Sequence, residues 1–145
     1  AGARAARLSR ALPMVALLVD HHGGAGAFAA LCADYAAVAA PDDDLTADAP
    51  ADAPADAPHA RRRGAGPRRH SWDALAFGQW LAARKPSIRY LGEILAYECA
   101  VLDVLDGGPG RVVEFSHDPL PLLRTLARRQ VPIASRVGRF EIEIA

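Results

Sequence analysis

Only two cysteines, one methionine and nine aromatic residues occur in this 145-residue chain. Cys32 and Cys99 form no CxxC pair and sit in alanine-rich helical patterns. That excludes a disulfide framework and a cysteine zinc site, and it reads as two small buried hydrophobes in a reducing, cytoplasmic setting. No apolar run approaches the ~20 residues of a membrane span. The longest, LPMVALLV, ends in DHHGG with no small-residue cleavage site, so no signal peptide is read. Neither sign of charge dominates. Lysine plus arginine equals aspartate plus glutamate at 17 each, and this balance counts against strong nonspecific nucleic-acid binding.

Catalytic motifs are missing as well. There is no GxxxxGK[ST], no GxGxxG after a strand and no GxSxG elbow. The histidines His21, His22, His59, His70 and His117 lack metal spacing, since the adjacent pair projects its rings apart. Ser116, His117 and Asp118 are neighbours whose side chains are expected to diverge, so they make no triad. Asp118 reads instead as a helix N-cap with Pro119 behind it at the first helical position. No catalytic residue, metal ligand or cofactor follows from the sequence.

What the chain does carry is helical periodicity. Residues 4–19 predict a helix interrupted at Pro13, with Leu8, Leu12, Val15 and Leu18 on one stripe. A second helix over 25–40 places Phe28, Leu31, Cys32, Tyr35 and Val38 together before Pro41. Residues 41–70 then hold three ADAP units, an acidic start and a basic end. Such a segment cannot bury enough apolar surface to order itself, and it reads as a disordered linker or insertion. Helicity resumes with Ser71 as the expected N-cap and Trp72, Leu75, Phe77, Trp80 and Leu81 as the apolar face. The last of these helices, from Tyr90 to Leu105, stops at DGGPG. Its stripe of Leu91, Ile94, Leu95, Leu102 and Leu105 has Glu98 at its centre. A buried carboxylate requires a partner. The sequence therefore predicts a structural strut, bonded to a basic residue or to backbone donors of a packed helix, with Arg4, Arg7, Arg10 and Trp72 as candidates.

Beyond residue 107 the period changes. RVVEF is a short β-type run, PLPLLRTLARRQ a helix, and FEIEIA alternates as a half-buried strand does. The expected fold is mainly α. An N-terminal helical bundle, split between 1–40 and 71–107, carries a small strand-helix-strand α/β appendage over 108–145. Two strands alone are marginal, so the appendage must lean on the helices or on a partner.

With Pro13, Phe28, Leu31, Tyr35, Phe77, Leu81, Tyr90, Leu91 and Glu98 in place, the chain resembles the HvfC/BufC-type family named for DNA binding. Its tail is similar to the TglI-like group of partner proteins. The family's opening YR.N helix has no counterpart here, and the insertion lies outside its pattern. The resemblance implies a non-catalytic partner of a DUF692-type multinuclear non-haem iron oxidative enzyme, one that engages a ribosomally made precursor peptide and presents it to that enzyme. The residues expected to meet peptide or enzyme are Val112, Val113, Glu114, Phe115, Phe140, Ile142 and Ile144, on strand edges able to accept an added strand. Glutamates 114, 141 and 143 equally suit an edge charged to resist pairing. The alternative is DNA binding, with Arg124, Arg128 and Arg129 meeting phosphates.

Overall fold

The computed structural model describes residues 2–39 and 68–145. The segment read as a linker lies outside the described residues, apart from its last three positions, which begin a helix. The first predicted helix is two: α1 (Gly2–Ala11) and α2 (Pro13–Gly23), parted at Leu12 with φ −126° and ψ 62°. Pro13 has no N–H to continue the ladder and biases the residue before it away from helical backbone. Gly24 and Gly26, at φ 90° and 88°, make the turn into α3 (Ala27–Val38). Only glycine takes those angles without strain. Then come α4 (Arg68–Ala83), α5 (Leu91–Leu105), β1 (Arg111–His117), α6 (Pro119–Ala127) and β2 (Val137–Ile144). The fold is mainly α with a small strand-helix-strand piece, as the periods predict.

Some assignments change. Because α4 begins three residues before Ser71, that serine lies inside the helix and caps nothing. Trp72 is 77% exposed. The buried stripe is Ala74, Phe77, Gly78 and Leu81, and Trp72 stands about 200° round the helix from Ala74. Val38 and Leu105 are exposed in the last turns of α3 and α5.

One hydrophobic cluster joins helices and sheet. Four of the nine aromatics form its α3–α4 seam. Phe77 meets Phe28 at 5.5 Å and Tyr35 at 5.4 Å between ring centroids, both edge-on, and Trp80 closes the group. Edge-to-face rings add roughly 0.5–1.5 kcal/mol per pair beyond their burial. Arg4 ties α1 to α4 through two bonds to the Asp73 carboxylate, at 2.5 and 3.1 Å. Asp20, near the end of α2, accepts the Phe28 N–H at 2.8 Å, because Gly26 at the start of α3 has no side chain to cap it.

Gly78 lets α4 and α5 approach. A Cβ there would lie 2.5 Å from the Cys99 Sγ and 3.5 Å from a Leu95 methyl. Gly78→Ala is therefore expected to destabilise by about 1–3 kcal/mol through overpacking. The Gly78→Ala/Cys99→Ala pair should recover most of that loss in denaturant melts, since alanine is the better helix former once the sulfur is gone.

Among the described residues no single helix is long and apolar enough to cross a membrane.

Candidate functional site

The sheet carries most of the residues singled out from sequence. β1 and β2 pair antiparallel, with Val113 opposite Ile142, Glu114 opposite Glu141 and Phe115 opposite Phe140. Alternation then sorts the seven candidates between two faces. Val113 and Phe115 are buried in the core, and Phe140, Ile142 and Ile144 pack half-buried against it. Val112 and Glu114 face outward with Glu141 and Glu143, and Arg139 lies 3.6 Å from Glu114. Inward side chains of the sheet are thus core. What an extended peptide would meet is backbone and outward side chains.

Each strand pairs only with the other among the described residues, leaving one unpaired edge apiece. α5 reaches over to β1 at both ends. Asp103 bonds Arg111 at 2.6 Å, and Glu93 accepts the Ser116 N–H at 2.5 Å. Among the described residues no such bond reaches β2 from a helix.

The register slips between Phe115 and His117, and this bulge corrects one sequence reading. Ser116 and His117 do not diverge. The Ser116 Oγ donates to Glu93 and lies 3.1 Å from the His117 Nδ1, which is itself 3.4 Å from Glu93. A serine relay needs the imidazole to bridge serine and carboxylate through opposite nitrogens, whereas here both meet Nδ1. The cluster latches the bulge to α5, beside a cleft of about 410 Å³. An alternating pattern gives no hint of a bulge, so sequence reasoning missed it.

Glu98 is 6% exposed. Its Oε1 accepts the Met14 N–H at 2.9 Å and its Oε2 the Val15 N–H at 3.0 Å. These amides open α2, whose N-cap position holds Leu12 and no capping side chain. The expected strut is present, and its partners are backbone donors. Of the side-chain candidates, Arg4 bonds Asp73, and Trp72 points to solvent. Burial pushes the Glu98 carboxyl up to about 7, against the pull of the two N–H bonds. Glu98 also floors a cleft of about 300 Å³ between Pro13 and the second half of α5.

Arg124, Arg128 and Arg129 are exposed at the C-terminal end of α6, where Asp118 caps the opposite end through the Leu120 N–H at 3.2 Å. Burial pushes both thiols, Cys32 and Cys99, up to about 11. At neutral pH they remain protonated and poor nucleophiles.

A third cleft, of about 310 Å³, lies where the end of α2, the start of α5 and the segment after α6 converge. Sequence reasoning missed it because its walls come from three separate stretches.

Compared with protein-family models, curated proteins and solved structures, the chain matches none.

Proposed function

We propose that this chain is a cytoplasmic, non-catalytic partner subunit that binds a ribosomally made precursor peptide and presents it to a DUF692-type iron oxidative enzyme. The observation that carries the reading is the edge of β2, eight residues from Val137 to Ile144, that pairs with no strand among the described residues. An extended peptide added there would gain main-chain hydrogen bonds and make its side chains alternate over the outward face. Support also comes from the residues that carry the family resemblance. Of those nine, Phe28, Tyr35, Phe77, Leu81, Tyr90, Leu91 and Glu98 are buried, Leu31 is half-buried and Pro13 is exposed.

Co-expression with an iron oxidative enzyme of that type should give a stable complex on size exclusion. A chain that elutes alone would sink the partner reading. Proline scanning tests the edge. In an antiparallel pair only alternate N–H groups bond the neighbouring strand, so of Phe140→Pro and Glu141→Pro one loses a ladder bond and the other removes an outward donor; Phe140→Ala is the reference for the half-buried ring that Phe140→Pro also deletes. The proline variant that melts no lower than its reference, Phe140→Ala or the parent, should lose precursor-peptide binding. Unchanged affinity in that folded variant would reject strand addition at β2.

The DNA reading is supported by the exposure of Arg124, Arg128 and Arg129 at one helix end. Steeply salt-dependent retention on duplex DNA, lost in the triple glutamine variant, would favour it over the peptide reading.

A further inference from the structure

The third cleft has a composition of its own. Its apolar wall is built by Leu18, Ile88, Val131 and Ile133. Ile133 is 92% exposed, a large aliphatic side chain left in water beside a concave apolar surface, and covering it is favourable. The polar groups on the cleft are Arg89, Tyr90, His21 and His22, and no carboxylate lines it. Every charge the cleft can carry is positive. The two histidines stand in the last turn of α2.

Two of these groups are held in unusual ways. Arg89 lies 4.8 Å over the Tyr90 ring, and one guanidinium nitrogen donates to the Ile133 carbonyl at 2.9 Å. That fixes the fork on the cleft side while leaving it further donors. Tyr90 is 5% exposed, and its hydroxyl is buried with no hydrogen-bond partner among the described residues. Buried hydroxyls are almost always bonded, so an orphan calls for an explanation. Tyr90 also holds φ 67°, a left-handed conformation that costs a non-glycine residue energy.

We propose that this cleft binds an organic monocarboxylate with a branched aliphatic or aromatic body. The body covers Ile133 and Leu18, and the carboxylate meets the remaining donors of Arg89. A volume of about 310 Å³ is at the small end of ligand sites and suits one bulky hydrocarbon group. Arginine pairs well with carboxylate because its planar fork matches the two oxygens. The same chemistry is offered by a free acid and by the C-terminus of a peptide whose last residue is apolar. The proposal does not rest on strand addition at β2.

The test titrates the whole chain with 4-methylpentanoate and 3-phenylpropanoate, with their primary amides, and with a glycine-rich pentapeptide ending in leucine as free acid and as amide. Methyl resonances of Ile88 and Ile133 are followed. The acids should bind saturably and at least about tenfold more tightly than their amides. Arg89→Gln should abolish that preference, and Ile133→Asp should abolish binding. Both residues are exposed, so both variants should fold. Tyr90→Phe keeps the ring beneath Arg89 and should leave the preference for acids unchanged. Tighter binding of the peptide acid than of the free acids assigns a chain terminus as the source, and the reverse order assigns a free acid. No saturation, equal binding of acids and amides, or a preference that survives Arg89→Gln would each overturn the site. The proline variants of β2 should leave these titrations unchanged.

Discussion

Glu98→Ala should lower stability by about 2–4 kcal/mol at pH 5, a drop in Tm of roughly 10 °C or more for a domain of this size. The loss comes from two buried backbone donors. With the carboxylate gone, the Met14 and Val15 amides at the start of α2 have no partner, and an unsatisfied buried donor costs about 1–3 kcal/mol. Water entering from the adjoining cleft will offset part of this, mostly at Met14, whose bond is the less buried of the two. Native-state hydrogen exchange gives the specific signature, with both amides losing protection ahead of the rest of α2. A variant as stable as the parent would show that α2 needs no cap from α5.

The same residue makes stability depend on pH. Glu98 titrates near 4.5 when unfolded and near 7 when folded, because burial disfavours its charge more than the two N–H bonds favour it. Between those values the folded state binds the extra proton. Stability is then fully present below about pH 4.5 and falls as pH rises through about 7, by an amount on the order of 3 kcal/mol. Histidines and other carboxylates contribute their own slopes, so the informative quantity is the difference from Glu98→Gln. That variant cannot titrate and should remove this component alone. It should also be less stable than the parent at pH 5, because its amide nitrogen must face a backbone donor. If parent and Glu98→Gln show parallel profiles between pH 4.5 and 7, the carboxyl stays ionised throughout, and the N–H bonds outweigh burial.

How much of this was legible beforehand depends on whether the signal is local. Asp118 and Pro119 announce α6, and they cap and start it as read, because capping involves residues two apart. FEIEIA has a strand's period and forms one. Glu98 was recognisable as a buried strut from its place on the α5 stripe. Its partners were not, since they are main-chain amides 84 and 83 positions upstream, and an amide leaves no mark in a sequence. Charged side chains drew attention instead, yet Arg4 is committed to Asp73. Likewise, RVVEFSH reads as plain alternation, and only the register with β2 shows the bulge at Ser116 and its latch to Glu93. The apolar stripes overcounted at helix ends, where Val38 and Leu105 run past the core they were assigned to.

Phe115→Ala is expected to cost about 3–5 kcal/mol, the usual range for truncating a fully buried ring. Phe115 is 2% exposed, stands opposite Phe140 and meets the Tyr97 ring of α5 edge-on at 6.3 Å. A two-stranded sheet has little stability of its own, so this ring, with Val113, Ile142 and Ile144 on the same face, is what fastens the sheet to the bundle. The consequence is uneven across the molecule. In Phe115→Ala, exchange protection in β1 and β2 should collapse at lower denaturant than in α2–α5, splitting a single transition into two. Val112→Ala, one strand position from Val113 but on the exposed outward face, should stay within about 0.5 kcal/mol of the parent. The contrast decides how binding at the sheet is to be interrogated. A charged residue at Phe115 or Ile142 would abolish peptide capture by releasing the sheet, whichever surface the peptide uses, whereas Val112, Glu141 and Glu143 can be altered with the sheet intact. If Phe115→Ala melts in one transition at the parent's midpoint, the sheet is held by something other than its inward face, and the edge of β2 loses its standing as a fixed platform.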